Sequence, residues 1–152
     1  MLNERKTEAY CAILAEELLL ATGCTEPIAV AYCAAKLREV LGVKPEKVLA
    51  EVSGNILKNV KSVVVPNTGG RRGIDAAVAV GIVAGDASAE LQVIANVTEE
   101  DEAAIQAYLD STEIKITCPE TPCMLDIRLT GWAGKHQVMV RVANNHTNII
   151  TI

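Results

Sequence analysis

The stretch "ATGCTEPIAVAYCAAKL", Ala21 to Leu37, places a cysteine, a threonine and a glutamate directly ahead of a proline and an alanine-rich run. Pro27 is excluded from a helix interior but suits a first helical turn, where its missing N–H costs nothing. Ile28, Ala31, Ala35 and Leu37 continue the run at helical spacing. Cys24 thus falls at or just before a helix N-terminus. Free N–H groups and the positive dipole end there favour thiolate over thiol, the form that attacks or binds metal. Gly23, entering a left-handed cap, closes the preceding helix. The competing reading of Cys24 is a small buried hydrophobe, a common fate of free cysteine. Cys11 and Cys33, each inside a helix among apolar neighbours, fit that second reading.

Four further segments carry polar groups where chemistry could sit. "SGNILKN" sets Ser53, Asn55, Lys58 and Asn59 just after a strand, a frequent place for a site and for an ordinary turn. In "PNTGGRRG" (66–73), backbone N–H groups, a following helix N-terminus and Arg71 and Arg72 all favour an anion, a carboxylate better than a nucleotide. It is neither a Walker motif nor a dinucleotide fingerprint, and by composition a loop with two solvated arginines is the stronger reading. "NNHTN" (144–148) interrupts an apolar β region with five polar residues, which costs sheet stability unless the side chains have partners or work to do. "CPETPC" (118–123) has metal-pair spacing without a second pair, so a turn between strands is preferred.

The elements that must position these groups follow from periodicity. Residues 3–21 read as a helix with Tyr10, Ile13, Leu14 and Leu18 on one face and Glu16 on another. A second helix runs from about Glu26 to Leu41 and stops at Gly42. "KVLAEVSG" (47–54) alternates as a strand, and "NVKSVVVP" (59–66) is a short β-branched run closed by Pro66. "IDAAVAVGIVA" (74–84) is an apolar helix that must be buried on most sides. "AELQVIAN" (89–96) is ambiguous between strand and helix, while Thr98 opens a well-signalled surface helix. "EIKITC", "MLDIRLTG" and "HQVMVRVAN" read as strands, followed by "HTNIITI", with "GWAGK" (131–135) making a hairpin. The sum is one α+β domain over 1–152, a mixed, largely antiparallel sheet packed with Ala-rich helices.

Composition narrows the classes. With a net charge of −5 and scattered Lys and Arg, the chain has no basic stripe or stacking aromatics for nucleic acid. No apolar run approaches the ~20 residues of a membrane span, and "MLNERKTEAY" lacks a signal-peptide pattern. Five cysteines leave at least one unpaired, which points to the cytoplasm rather than a disulfide framework. Few aromatics leave no obvious interface anchor, so a homo-oligomer stays open. The apolar ending "NNHTNIITI" suits a natural terminus or a boundary within a longer chain.

In order and spacing, "GCTEPIAVAYCAA", "VSGNILKN", "VPNTGGRRGIDAAVAVGIVAGD" and "NHTNI" resemble the N-terminal part of the L-cysteine desulfidase family, itself related to the alpha chain of iron–sulfur L-serine dehydratase. The resemblance spans about Ala15 to Ile152, and its Gly-Cys-Thr-Glu-Pro string is highly specific; the two arginines of "NTGGRRG" depart from the family pattern. It implies an amino-acid lyase with a [4Fe–4S] cluster held by three cysteines, with one iron left open to substrate. The ligand role carries over to Cys24 alone, the other ligands belonging to a helical C-terminal half. Thr25, Glu26, Ser53, Asn55, Asn59, Thr68, Gly69, Gly73, Thr147 and Asn148 are the expected substrate-binding residues, with His146 and Lys58 as catalytic candidates. The expected reaction turns L-cysteine into pyruvate, ammonia and sulfide; deamination of L-serine, or carboxylate binding without catalysis, are the alternatives. As 152 residues the chain is expected to hold no stable cluster and to be inactive.

Overall fold

The computed structural model describes residues 4–18 and 20–152, without the side chains of residues 16 and 17. The predicted helix start at residue 3 and the predicted orientation of Glu16 lie outside the described residues. The elements are α1 (Glu4–Glu17), α2 (Thr25–Leu41), β1 (Lys47–Val52), α3 (Gly54–Val60), α4 (Gly73–Ala84), a 3₁₀ turn (Ala87–Gln92), α5 (Glu99–Ser111), β2 (Glu113–Thr117), β3 (Asp126–Ala133), β4 (His136–Ala143) and β5 (Ile149–Thr151). Among the described residues five strands form one sheet in the order β2-β1-β3-β4-β5. Only β2 runs parallel to its neighbour β1; the other pairs are antiparallel, which is the expected α+β arrangement.

Strand alternation decides what each sheet face does. Val48, Ala50 and Val52, Ile127 and Leu129, and Val140 and Val142 are buried toward the helices, forming one core with α2 and α4. Glu51, Arg128 and Arg141 take the intervening positions and face the other way. Helix α4 is apolar and buried along nearly its whole length, as its composition requires. Its approach to α2 depends on a missing side chain: a Cβ on Gly81 would lie 2.2 Å from the Ala31 carbonyl oxygen. Helix α2 ends at Gly42, whose φ of 78° is the left-handed conformation the sequence predicts there. The β3–β4 hairpin closes through Gly134 and Lys135, with Ala133 and His136 paired.

Several local expectations are overturned. Residues 54–60 form α3 because Ser53 caps it: Ser53 Oγ accepts from the Ile56 N–H and its carbonyl accepts from Leu57 N at 2.9 Å. The β-branched run that follows is cut short by Pro66 and keeps one isolated bridge, Val64 with Arg72. The ambiguous 89–96 segment enters the 3₁₀ turn rather than a strand or an α-helix. Gly23 is not left-handed. It is needed for proximity instead, since a Cβ there would lie 2.7 Å from Pro66 Cγ. Helix α1 ends at Glu17 and lies with its apolar face open: Tyr10 is 53% and Leu18 72% exposed. Cys11, on that helix, is exposed and not a core residue. Cys33 is fully buried beside the Val140 carbonyl at 3.4 Å, and burial pushes its thiol up to about 12.

Candidate functional site

The residues expected to do chemistry lie at turns, at helix starts and within the short α3. Cys24 stands at the N-cap of α2 with extended-type backbone (φ −58°, ψ 126°), and its side chain makes no capping bond. Its Sγ instead donates to Glu26 Oε2 at 3.2 Å, and Thr25 Oγ1 donates to the same oxygen at 3.3 Å. All five cysteines are free, and Cys24 is exposed. Its thiol is pushed up from the ordinary value, by partial burial and then by the Glu26 carboxylate. The expectation of a thiolate-favouring helix start is therefore corrected: partial burial and, after it, the Glu26 carboxylate favour the thiol, against the backbone N–H groups of Thr25 and Glu26. Burial opposes ionisation of Glu26, but hydrogen bonds from Cys24, from its own backbone N–H and from Thr25, with the nearby His146 charge, hold its carboxyl below the usual range.

His146, from a segment 120 residues downstream, is thus brought by the fold within electrostatic range of Glu26. It is half-buried with Thr147 in the turn between β4 and β5. That turn is closed by its own groups: Asn148 Nδ2 donates to the Ala143 carbonyl at 3.0 Å, and Ala143 N to the Asn148 carbonyl at 3.1 Å. The polar interruption of the β region is consequently explained by Asn148, which shapes the loop.

Other candidates are placed apart or are already occupied. Ser53 is buried and its hydroxyl donates to the Met124 carbonyl at 2.6 Å while capping α3. Asn55 and Asn59 are half-buried one helical turn apart and bond to each other at 3.3 Å; Lys58 is exposed. Thr68 is fully buried, its hydroxyl donating to the Val65 carbonyl at 2.7 Å, so it pins its own loop and cannot meet a substrate. Gly69 (φ 64°) and Gly73 (φ 93°) supply left-handed backbone there, and a Cβ on Gly69 would run into the Glu102 carboxylate. Arg71 is consumed by its surroundings, bonding the Thr68 carbonyl, Gln106 Oε1 at 3.1 Å and the Glu102 carbonyl at 3.3 Å. Arg72 donates to the Ser62 carbonyl at 2.7 Å. The glycine-rich loop is thereby built as an anchor for α5 more than as a cradle for an anion.

Sequence reasoning missed the part played by "CPETPC". It does connect β2 to β3 as a turn, but with Ser53 and Asn55 it walls a cleft of about 770 Å³. A smaller adjoining cleft of about 180 Å³ reaches Glu51, Asp126, Arg128 and Arg141. The alternation of β3 and β4 points these charges away from the core, a signal that was present but that solvated strand residues share. Among the described residues no three His, Cys, Asp or Glu side chains come together to hold a metal ion. A cluster bound through three thiolates does not fit these residues alone. Of the exposed thiols, that of Cys24 is the one that stands at the start of α2. No helix among them is long and apolar enough to cross a membrane.

Comparison with known proteins places this chain beside one set of relatives. It is 50% identical over 150 residues to a UPF0597 protein of Desulfitobacterium hafniense, and 45% identical over 151 residues to one of Treponema denticola. A UPF0597 protein of Finegoldia magna is 47% identical over 144 residues. These alignments cover 94–99% of this chain but 34–35% of the relatives, so the chain spans about a third of the length of the curated relatives it matches. The names of these relatives state no activity. No family model matches the chain, and no solved structure does.

Proposed function

We propose that this chain is one structural third of an iron–sulfur-dependent amino-acid lyase that converts L-cysteine into pyruvate, ammonia and sulfide, with Cys24 as the single cluster ligand it supplies. The observation that carries this reading is the exposed Cys24 thiol at the start of α2, tied to a Glu26 carboxylate that feels the charge of His146. The segments that meet there, "GCTEP" and "NHTNI", are two of those that resemble the desulfidase family. The further ligands come from the polypeptide that the longer relatives carry beyond the matched third.

When bound, a cluster with one open iron supplies a Lewis acid for the leaving thiol. The chain's own residues supply proton handling and shape. The Glu26 carboxylate accepts a hydrogen bond from the Cys24 thiol, which orients that sulfur at the start of α2. His146, half-buried and within electrostatic range of Glu26, takes the role of proton carrier near the substrate. Thr25 holds the Glu26 carboxylate in position.

The test uses the sequence extended to the relatives' full length, reconstituted anaerobically with iron and sulfide. Pyruvate is then assayed from L-cysteine and L-serine in parallel. Pyruvate with sulfide from cysteine, abolished in Cys24→Ser, is the expected result. Faster turnover of serine would reassign the substrate to the deaminating alternative. A well-folded, colourless, inert protein would sink the proposal.

A further inference from the structure

Every side chain described on α1 from residue 4 to residue 15 is exposed. The second half of the helix is nonetheless apolar on one side. At about 100° per residue, Tyr10, Cys11, Ile13, Leu14 and Leu18 fall within one half of its surface. Leu18 continues the last turn, its N–H donating to the Leu14 carbonyl at 2.8 Å. Tyr10, Ile13, Leu14 and Leu18 are each more than half exposed. Single exposed leucines need no explanation, but a contiguous apolar stripe marks a contact surface. The apolar sides of α2 and α4 are used up in the core, and that of α1 is not. A 14-residue helix is also near the lower limit of about 12–15 residues at which isolated helices persist, so its stability has to come from packing.

The stripe itself restricts what covers it. Its five side chains carry no formal charge, so the matching surface is apolar. From Tyr10 to Leu18 it is about 12 Å long, on a helix about 10 Å across. A second copy meeting it stripe to stripe would fall well short of the roughly 800 Å² per partner that a stable interface takes. A surface tethered to the same polypeptide needs far less area, because its effective concentration is high. The longer relatives carry such a polypeptide. The Desulfitobacterium hafniense protein matches 99% of this chain, α1 therefore included, in 35% of its own length.

We propose that the stripe from Tyr10 to Leu18 is a docking surface for an apolar face of the polypeptide that the longer relatives carry outside the matched third. Helix α1 packs on that polypeptide and not on its own sheet. Leu18 precedes Cys24 by six residues, a chain length that spans at most about 20 Å, so what docks on α1 sits close to the exposed thiol. The inference rests on the length of the relatives and not on the lyase reading.

Cys11 is exposed within the stripe, one turn before Leu14, and reports on its cover. The test compares its rate of labelling by N-ethylmaleimide, read by peptide mass spectrometry without iron, in two proteins. One is the 152-residue chain and the other is the sequence extended to the relatives' full length. Labelling at least about tenfold slower in the extended protein, and restored by denaturant, is expected. Leu14→Glu with Leu18→Glu should return Cys11 of the extended protein to the rate of the 152-residue chain. Should that variant fail to fold, the comparison of the two parent proteins decides alone. Equal rates in the two parents overturn the proposal. Slow labelling of the 152-residue chain also overturns it, making a second copy the occupant if dilution speeds the reaction and the chain itself if it does not. Neither iron nor turnover enters the measurement, so the lyase reading can fail while this one stands.

Discussion

The Cys24 thiol donates to the Glu26 carboxylate at 3.2 Å from an exposed helix N-cap. Nothing in the core depends on that sulfur, and a serine hydroxyl can make the same bond. Cys24→Ser is therefore expected to change the stability of the chain by less than about 0.5 kcal/mol. Thermal unfolding checks this. A loss above about 1 kcal/mol would make Cys24 a packing residue.

Asp126 ties the loop 118–125 to the sheet, through Arg141 and Thr121 on its side chain and Ser53 N on its backbone carbonyl. Its side chain is 9% exposed. Asp126→Asn removes the charge and leaves Arg141 poorly paired, so a loss of about 2–3 kcal/mol is expected in denaturant titration. A cost near zero would show that the pair is mere surface decoration.

The same residue sets a pH dependence. Hydrogen bonds from Arg141 hold the Asp126 carboxyl below the usual range, against the opposing effect of burial. A depressed folded-state pKa contributes stability that is present above the unfolded value, about 3.9, and is lost as pH falls through the folded value. The parent should lose this contribution below about pH 4, and Asp126→Asn should show a shallower acid slope. Parallel slopes for the two proteins would contradict the assignment.

Gly81 of α4 lies so close to α2 that an added Cβ would sit 2.2 Å from the Ala31 carbonyl oxygen. In an isolated helix, alanine is better than glycine by about 1 kcal/mol. Here the clash is with backbone, which cannot swing away. Gly81→Ala is expected to lower stability by about 1–3 kcal/mol, read from the unfolding midpoint. Stabilisation instead would mean that the two helices separate easily.

Helix α1 gives the opposite expectation. Leu14 and Leu18 belong to a face that the rest of the chain leaves uncovered, at 52% and 72% exposure. Leu14→Glu with Leu18→Glu should leave the unfolding midpoint of the 152-residue chain within the range of ordinary surface changes, about 0.5 kcal/mol per substitution. A large destabilisation would show that this face is packed in solution.

Much of the architecture was legible because it rests on local rules. Gly42 could be read as a helix stop and Thr98 as a helix start, because a left-handed cap and a capping box are decided within a few residues. The apolar run of α4 announced its burial, and "GWAGK" announced a hairpin, although its turn is only Gly134 and Lys135 because residues 131–133 belong to β3. Helix α3 was missed because one side-chain bond from Ser53 outweighed the β preference of the valines that follow. The role of Gly23 was misread because glycine serves left-handed turns and close approach alike, and only the position of Pro66 distinguishes them.

The candidate site divides in the same way. Cys24, Thr25 and Glu26 are consecutive, so their association and their place at a helix start could be inferred from the sequence alone. The approach of His146 from 120 residues away could not, because it depends on the fold. The rise of the Cys24 thiol could be read only in part, since Glu26 is two residues away but the burial is set by the fold. Arg71 and Arg128 read alike as single letters. Partners decide between them: α5 supplies acceptors for Arg71, while Arg128 faces Glu51 across the β1–β3 register. Periodicity and capping act along the chain and are written in it. Charge pairing and close approach act across it, and only the folded arrangement of strands and helices decides them.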